Sequence, residues 1–207
     1  MMTMKKIETF TLGMVQVNTY LLWQEDHVLI IDPGTPSMEL KKAIDSKHGV
    51  VDGIVLTHGH FDHIGGVDML VDTYHCPVYI NEWDLEMLSD PYRNASAGMG
   101  LPEVVVKAKA EVLAAGEHTI GAFTFRFLYA PGHSDGCSMI LWDHNLFSGD
   151  VLFAGSIGRT DLPGGSMHKM MNSLKVFSAM NPETIIYPGH GPSTSLKQEL
   201  LYNPYLK

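Results

Sequence analysis

The first third of the chain begins with short, largely hydrophobic stretches that polar or glycine-containing segments separate. Three of them, residues 7–12, 19–24 and 28–32, are rich in β-branched and aromatic residues and are separated by short polar or glycine-containing breaks. This pattern predicts an antiparallel β-meander. A Pro-Gly pair ends the third strand, and Ser37 is a suitable N-cap for a helix that runs to about residue 47.

The middle of the chain changes between strand and helix periodicity. Residues 54–57 and 78–80 are short apolar runs, which predict buried strands. Between them, apolar residues recur with helical spacing at positions 67, 70, 71 and 74, which predicts an amphipathic helix. Residues 83–88 predict a second, shorter helix. Residues 90–102 are rich in glycine and small polar residues, and we interpret this loop as either a functional segment or a mobile surface insertion.

The second half of the chain returns to strands. Four apolar or alternating runs predict strands at residues 123–128, 138–142, 146–148 and 184–187. One predicted helix has an apolar face that includes Met170, Leu174 and Phe177, and another spans residues 196–202. Strands followed by helices, twice over, predict an α/β fold of two packed sheets with helices on the outside. We expect a single domain over residues 1–207.

Composition restricts the possible partners. A formal net charge of −9, without any run of Lys or Arg, argues against nucleic acid as a partner, because phosphate binding needs clustered positive charge. No stretch reaches the roughly 18 apolar residues that a membrane span needs, and no secretory signal is visible. The two cysteines do not make a disulfide framework, so a cytoplasmic protein is expected. Cys137 begins an apolar strand and is predicted to be a buried, inert thiol.

Four potential metal ligands lie within six residues, directly after the predicted strand at residues 54–57. They are His58, His60, Asp62 and His63. Imidazole and carboxylate are the ligands that zinc and similar divalent metals prefer. Because these side chains leave a turning backbone in two diverging directions, one loop can serve two cations. The spacing therefore predicts metal binding.

Three further apolar runs end in a similar way. Each reaches a Pro-Gly pair or a glycine and then presents a histidine or an aspartate, namely His133, Asp150 and His190. Proline stops strand pairing and glycine permits a sharp turn, so the next side chain is held at the edge of a sheet. Strand ends that lie in register would bring these side chains to the first cluster.

The seven candidate ligands divide into two predicted sites. The first contains three imidazoles, from His58, His60 and His133. The second contains one carboxylate and two imidazoles, from Asp62, His63 and His190. Asp150 remains as a carboxylate able to bridge two divalent metal ions, each with the open position of a catalytic site. A hydroxide held between two cations is a strong nucleophile near neutral pH. The other histidines share no such context and are predicted to be surface or capping residues: His27, His48, His75, His118, His144 and His168.

The His-x-His-x-Asp-His motif of residues 58–63, followed by separate His, Asp and His residues, resembles the metallo-β-lactamase superfamily. The resemblance covers essentially the whole chain. It implies a four-layer αββα sandwich of two mixed β-sheets, with the metals at one edge between the sheets. It also implies catalytic roles for Asp62 and Asp150, which would hold and orient the attacking hydroxide.

Within the superfamily, residues 57–66, 156–165 and 189–194 resemble the glyoxalase II group and its short bacterial members. This resemblance implies a metallo-hydrolase that cleaves a small-molecule thioester similar to hydroxyacylglutathione. It also implies two divalent metal ions, zinc in the first place, with iron or manganese as alternatives. Larger members carry a C-terminal domain that binds glutathione, whereas few residues follow His190 here. The acyl group and the thiol carrier therefore stay open.

Two alternatives remain at this point. Residues 131–137 also resemble the persulfide dioxygenases, which use one iron and molecular oxygen. His58, His133 and Asp150 would then be the ligands, as a facial triad of two histidines and one carboxylate. The alternative of another class is a binding module that keeps the metal site without turnover.

Arg159 and Asp161 lie in one of the segments that resemble glyoxalase II. A guanidinium near the metals could hold a substrate carboxylate in bidentate fashion. Alternatively, Arg159 pairs with Asp161 or with backbone carbonyls and shapes the loop, which is the interpretation we favour.

Overall fold

The computed structural model describes residues 4–97 and 102–207. The strands are β1 (Lys5–Leu12), β2 (Val17–Gln24), β3 (His27–Ile31), β4 (Val50–Val55), β5 (Val78–Ile80), β6 (Ala110–Val112), β7 (Gly116–Ile120), β8 (Phe123–Tyr129), β9 (Ser138–Trp142), β10 (Asn145–Gly149), β11 (Leu152–Phe153), β12 (Ser156–Ile157), β13 (Ile185–Pro188) and β14 (Thr194–Ser195). The α-helices are α1 (Met38–Asp45), α2 (Phe61–Ile64), α3 (Val67–Tyr74), α4 (Met167–Ser173) and α5 (Leu196–Tyr202). Short 3-10 helices span Glu82–Leu88, Leu174–Ala179 and Pro204–Leu206. None of the helices in the described ranges is long and apolar enough to span a membrane.

The strands form two six-stranded mixed sheets and a small ribbon of β11 and β12. The first sheet has the order β1-β2-β3-β4-β5-β6. Its β1, β2 and β3 are antiparallel, which confirms the predicted meander, whereas β3 to β6 pair in parallel. The second sheet has the order β14-β13-β10-β9-β8-β7 and is antiparallel except for the parallel pair of β10 and β13. Parallel strands need a crossover connection, which is usually a helix. Here α1 lies in the connection from β3 to β4, and α3 in the connection from β4 to β5.

Three apolar clusters define four layers. Successive side chains of a strand point to opposite faces, so each sheet can bury both of its faces. The cluster between the sheets includes Leu22, Leu29, Ile31, Phe125, Phe127 and Phe147. The cluster between the first sheet and its helices includes Leu21, Ile30, Leu40, Ile44, Val67 and Leu70. The cluster outside the second sheet includes Met139, Leu146, Ile186, Met170, Phe177 and Leu196. The arrangement confirms the expected αββα sandwich.

Some boundaries differ from the prediction. The sequence pattern does not predict β6, β7, β11, β12 or β14, because these strands are short or largely exposed and lack a full buried face. The fourth strand covers Val50–Val55 instead of residues 54–57, since its first half pairs with β3 although it is only partly buried. Ser37 caps α1 as predicted, by accepting a hydrogen bond from the Leu40 amide.

The described part of the loop at residues 90–102 is anchored to the fold. The buried Asn94 side chain donates to the carbonyls of Met87 and Val104, both at 2.9 Å. The backbone carbonyl of Asn94 accepts a hydrogen bond of 3.0 Å from the backbone amide of Phe61, the first residue of α2. These bonds make residues 90–97 a support for the helix that carries two candidate ligands. Residues 98–101 of the predicted loop lie outside the described residues.

Candidate metal centre

The clustered candidate ligands occupy the connection between β4 and α2. The backbone leaves the first sheet, passes His58 and His60, and enters α2, which carries Asp62 and His63. All three imidazoles are buried. The loop is therefore fixed at both ends by regular structure, and its side chains face the interior instead of solvent.

The other candidate ligands follow strands of the second sheet. His133 comes after β8, Asp150 directly after β10, and His190 after β13. Gly189 allows the segment that carries His190 to lie close to Asp150, because a Cβ atom at residue 189 would lie 2.2 Å from Asp150 Oδ1. The predicted strand ends thus bring ligands from both sheets to one edge of the sandwich.

His58, His60 and His133 form the first donor group, in which one ring nitrogen from each residue lies within 4.8 Å of the others. His60 Nδ1 and His133 Nε2 are 2.8 Å apart. The ring centroids are separated by 4.5 to 4.8 Å. Three imidazole nitrogens that converge in this way suit a single divalent cation of the zinc type.

Asp62, His63 and His190 form the second donor group, whose donor atoms also lie within 4.8 Å of one another. Asp62 Oδ2 is 3.1 Å from His190 Nε2 and 3.8 Å from His63 Nε2. One carboxylate and two imidazoles are again a ligand set for a divalent transition metal.

Asp150 lies between the two donor groups. Its Oδ2 is 3.4 Å from His133 Nε2 in the first group and 3.6 Å from His190 Nε2 in the second, and its Oδ1 is 3.4 Å from His63 Nε2. The structure therefore brings all seven predicted ligands together, with Asp150 in the position expected of a bridge. That these side chains bind metal stays a prediction.

Several buried polar atoms at this edge lack a hydrogen-bond partner. Among the described residues they are His58 Nε2, His60 Nε2, His63 Nε2 and Asp150 Oδ1. Buried polar atoms are rarely left unsatisfied, since each costs free energy. All of them belong to the candidate ligands, so the residues present fit a pair of divalent cations.

Hydrogen bonds on the far side of three imidazole rings fix their orientation. His63 Nδ1 donates to Asp32 at 2.9 Å, and His133 Nδ1 donates to the Arg159 carbonyl at 2.7 Å. His58 Nδ1 lies 3.1 Å from Thr57 Oγ1. Metal-binding histidines commonly use the second nitrogen in this way, which fixes the ring and its tautomer. In each case Nε2 is left for a cation.

The pKa directions differ between the two groups. Burial lowers the pKa of His58 well below its ordinary value and that of His60 to about 3, and neighbouring imidazoles act in the same direction. Burial alone would lower the pKa of His63, but nearby carboxylates, Asp62 the strongest, raise it well above 6.5. Burial would raise the pKa of Asp150, whereas the surrounding imidazoles hold it low. His58 and His60 therefore offer neutral nitrogens, whereas a cation would replace the proton held by His63.

Asp32 is a site residue that the sequence analysis does not identify. It is buried and accepts hydrogen bonds from the Thr57 amide at 2.8 Å, from Thr57 Oγ1 at 2.6 Å and from His63 Nδ1 at 2.9 Å. Its position in the sequence could have indicated this role. Asp32 lies between β3 and a Pro-Gly pair, and the candidate ligands of the second sheet likewise follow strand ends marked by glycine.

Asp84 is a second buried aspartate that the sequence analysis does not identify. It lies in the 3-10 helix Glu82–Leu88 and accepts hydrogen bonds from Gly59, Ser134 and Gly136. Nothing local signals this role, since its partners are 25 to 52 residues away along the chain.

A cavity of about 320 Å³ opens over the donor groups. Its remaining walls are mostly apolar and come from Val15, Phe61, Ala95, Phe153 and Leu162, with Arg159 at the rim. The Arg159 side chain is 59% exposed and forms a bidentate ion pair with Asp161, at 2.7 and 2.8 Å. The structure thus contains the pair that the sequence suggests, at a place where Arg159 also borders the cavity.

Cys137 and the other histidines lie outside the two donor groups. Cys137 is fully buried, and burial raises the pKa of its thiol well above 9. His27 forms an ion pair with Asp52, and His75 caps the C-terminus of α3 in the left-handed conformation. Among the described residues, none of the six remaining histidines belongs to either donor group.

Known relatives match nearly the whole chain. A probable metallo-hydrolase of Bacillus subtilis, YqgX, is 38% identical over 198 residues, which cover 94% of each chain. The hydroxyacylglutathione hydrolase GloC of Haemophilus influenzae is 30% identical over 212 residues, which cover 97% of each chain. Both span nearly the full length of this chain, so the likeness is not confined to the motif.

Solved structures share the whole fold. BLEG-1, a B3 metallo-beta-lactamase, superposes with a TM-score of 0.93 at 37% identity, covering 98% of this chain and all of its own. TTHA1623 in a di-iron-bound form superposes with a TM-score of 0.88 at 36% identity, covering 96% of this chain and all of its own. The sequence profile of the metallo-beta-lactamase superfamily matches residues 12–190, a segment that contains all seven candidate ligands. The chain belongs to the metallo-beta-lactamase superfamily.

Proposed function

We propose that this protein is a binuclear metallo-hydrolase of the glyoxalase II type that cleaves a small-molecule thioester. The observation that carries the proposal is the position of Asp150, within 3.4 to 3.6 Å of histidines in both donor groups. A single cation at the first group would leave Asp62, His63 and His190 without a role in the reaction. The hydrolase names of relatives such as YqgX and GloC support the same reaction class.

Two divalent cations, when bound, supply an activated water and polarise a carbonyl oxygen. The protein contributes the groups that surround this chemistry. Asp62 and Asp150 both have lowered pKa values, because nearby imidazoles outweigh the effect of burial. Both are therefore ionised at neutral pH and border the cavity, where a carboxylate oxygen can accept a hydrogen bond from water and orient it.

The leaving group needs little help from the protein. A thiol has an ordinary pKa of about 8.5, so a thiolate departs near neutral pH without a strong general acid. The buried Cys137 cannot serve as one, because burial raises the pKa of its thiol. The apolar side chains of Phe61, Phe153 and Leu162 line the cavity beside the donor groups and leave few polar partners for other water molecules there.

The cavity favours a substrate whose groups beyond the thioester are small and mostly uncharged. Arg159 is the only lysine or arginine among the described residues that line the cavity, and its charge is paired with Asp161. A neighbouring cavity of about 240 Å³ shares Val15 and Phe61 and continues over the apolar Met14. We therefore propose a thiol carrier smaller or less charged than glutathione.

Zinc is the proposed metal, with iron or manganese as alternatives, since imidazole and carboxylate accept all three. The di-iron-bound form of TTHA1623 makes iron the first alternative to examine. The two cysteines, Cys76 and Cys137, are both free and buried, which fits the cytoplasm that we propose as the compartment.

The test combines metal analysis with assays of the purified protein. We expect about two metal ions per chain and hydrolysis of hydroxyacyl thioesters, faster for a short neutral thiol carrier than for glutathione. Asp62→Asn and Asp150→Asn should each reduce kcat/KM by at least about 100-fold, the size seen when groups around a catalytic metal are removed. Asp143→Asn, at an exposed ion pair with Lys5, is the matched control and should leave the rate unchanged.

Other outcomes would assign other functions. One iron per chain, with oxygen uptake on glutathione persulfide, would replace the hydrolase by a persulfide dioxygenase. Hydrolysis of a β-lactam at a rate above that of any thioester would favour the activity named for BLEG-1. Bound metal without turnover of any of these compounds would favour a binding module.

A further inference from the structure

Asp84 joins the two loops that carry the three-histidine donor group, although it belongs to neither. We propose that Asp84 is a positioning residue that sets the geometry of His58, His60 and His133 and leaves the second donor group largely unaffected. The inference rests on the proposed metal centre, and it adds a residue that controls one half of that centre.

Both carboxylate oxygens of Asp84 are used. Oδ2 accepts a hydrogen bond of 3.1 Å from the amide of Gly59, which stands between His58 and His60. The same oxygen accepts a hydrogen bond of 2.6 Å from the hydroxyl of Ser134, directly after His133. Oδ1 accepts a hydrogen bond of 2.6 Å from the amide of Gly136. One side chain therefore holds the backbone beside all three imidazoles.

The contact is buried and closely packed. Asp84 has no exposed surface, so its hydrogen bonds do not compete with water. A Cβ atom on Gly136 would lie 2.6 Å from the Asp84 amide nitrogen and 2.7 Å from Oδ1. A Cβ atom on Gly59 would lie 2.6 Å from Met87 Cβ in the same 3-10 helix. Both loops thus approach the helix at a distance that only glycine allows, which leaves little freedom for either to shift.

The second donor group is held by other means. Asp32 fixes the ring of His63, and Asp62 and His63 stand on α2, whose first amide is bonded to Asn94. His190 follows β13 in the second sheet. Among the described residues, the side-chain hydrogen bonds of Asp84 reach none of these elements. Asp84 therefore supports the first donor group alone, whereas Asp32 bonds to His63 and, through Thr57, also supports His58.

The functional consequence follows from the precision that a metal site needs. A ligand set must be held to within roughly 0.5 Å of its working geometry. In Asp84→Asn, one carboxylate oxygen becomes an amide NH₂, which cannot accept a hydrogen bond from the donors on that side. An NH₂ group in place of Oδ2 loses the hydrogen bonds from Gly59 and Ser134, and one in place of Oδ1 loses the hydrogen bond from Gly136. In either case a loop is released, and the three imidazoles lose their common geometry.

The test uses two backgrounds that each keep one donor group. His190→Ala leaves the three-histidine group complete, and His133→Ala leaves the second group complete. The metal-free proteins are titrated with zinc, with and without Asp84→Asn. We expect Asp84→Asn to weaken zinc binding by about 10- to 100-fold in the His190→Ala background, the usual effect of losing an outer partner of a metal site. In the His133→Ala background the affinity should stay within about twofold.

Two control variants define the specificity. Glu86→Gln lies in the same 3-10 helix but is 74% exposed and paired with Arg93, so it should leave both affinities unchanged. Asp32→Asn should weaken zinc binding in both backgrounds, because Asp32 bonds to His63 and also to Thr57 beside His58. If Asp84→Asn fails to fold, Ser134→Ala removes one of the three hydrogen bonds and should give a smaller loss in the His190→Ala background only.

Equal weakening in both backgrounds would overturn the proposal, because it would indicate general destabilisation. Unchanged affinity in both would overturn it as well. Absence of zinc binding by the unsubstituted protein would instead overturn the metal centre itself. Zinc binding without thioester hydrolysis would contradict the proposed function while leaving the Asp84 result valid.

Discussion

At the scale of single residues, the buried aspartates have different roles, and the neighbouring groups determine which role each one has. Asp150 has imidazoles of both donor groups around it, whereas Asp32 and Asp84 use their oxygens as hydrogen-bond acceptors from the backbone, from hydroxyls and, for Asp32, from an imidazole. The residue type is the same in all three places. Its role follows from whether the neighbours donate hydrogen bonds or leave an oxygen free for a cation.

Glu8 gives a prediction about pH and stability. Burial would raise its pKa, but hydrogen bonds from Lys47, Lys6 and Trp23 lower it to about 2, from an ordinary 4.5. Glu8→Gln should therefore cost about 1 kcal/mol of unfolding free energy at pH 7, a value discounted for the partly exposed lysines. Because the folded pKa is the lower one, this stabilisation is complete above about pH 4.5 and disappears as the pH falls toward 2.

Urea unfolding of both proteins at pH 7, 5 and 3 measures the effect. Glu183→Gln, at a pair with Lys197 whose partners are 3.8 Å apart and largely exposed, is the control and should change stability little at any pH. A difference between the Glu8→Gln variant and the unsubstituted protein that stays constant from pH 7 to pH 3 would show that the charge of Glu8 is not responsible.

The residues predicted from sequence share a local signal. His58 to His63 are close together, and His133, Asp150 and His190 each follow a strand end marked by glycine. Asp84 has no such mark, because its role depends on contacts 25 to 52 residues away that only the folded chain creates. Local chemistry therefore predicts the candidate ligands, whereas the residues that hold them in place need the tertiary structure.

At the scale of elements, burial decides which strands the sequence can predict. The strands that lead to the ligands, β4, β8, β10 and β13, have buried positions and are found from their apolar patterns, with shifts at the ends. The edge strands β6 and β7 are mostly exposed and give no pattern to recognise. The strands that lead to the site are consequently predicted from the sequence, whereas α2, the short helix that carries Asp62 and His63, is not.

The end of β13 provides a prediction at this scale. Gly189→Ala should weaken metal binding, because the added methyl group would lie 2.2 Å from Asp150 Oδ1 and 2.7 Å from His63 Cε1. We expect metal affinity to fall by about 10-fold or more while the fold is retained. Titration with zinc, together with circular dichroism, measures both quantities.

Gly191→Ala is the matched control for Gly189→Ala. Gly191 has a φ of +77° and nothing within 4 Å of an added Cβ atom, so the substitution costs backbone strain of about 1 kcal/mol without touching the ligands. Stability should fall and metal affinity should remain. If the two variants lose metal affinity equally, the steric explanation at Gly189 is wrong.

At the scale of the whole molecule, the centre lies where the two sheets meet. His58 follows a strand of the first sheet, and His190 follows a strand of the second. Hydrogen bonds cross the same junction, from Tyr20 and Asn18 of β2 to the Pro188 carbonyl, at 2.5 and 3.1 Å. We propose that the sheets form one domain and unfold together, since the cluster between them is built from both.

Metal removal should lower the thermal stability of this single unit without abolishing the fold, because the apolar clusters do not depend on the ligands. Zinc at 100 times its dissociation constant stabilises the native state by about 2.7 kcal/mol, which corresponds to a Tm rise of roughly 5–10 °C for a chain of this length. Calorimetry of the metal-free and zinc-loaded protein should show one transition in each state, shifted by this amount. The double variant His133→Ala with His190→Ala should show almost no shift. Two separate transitions would contradict a single domain, and an equal shift in the double variant would place the stabilising zinc outside the two donor groups.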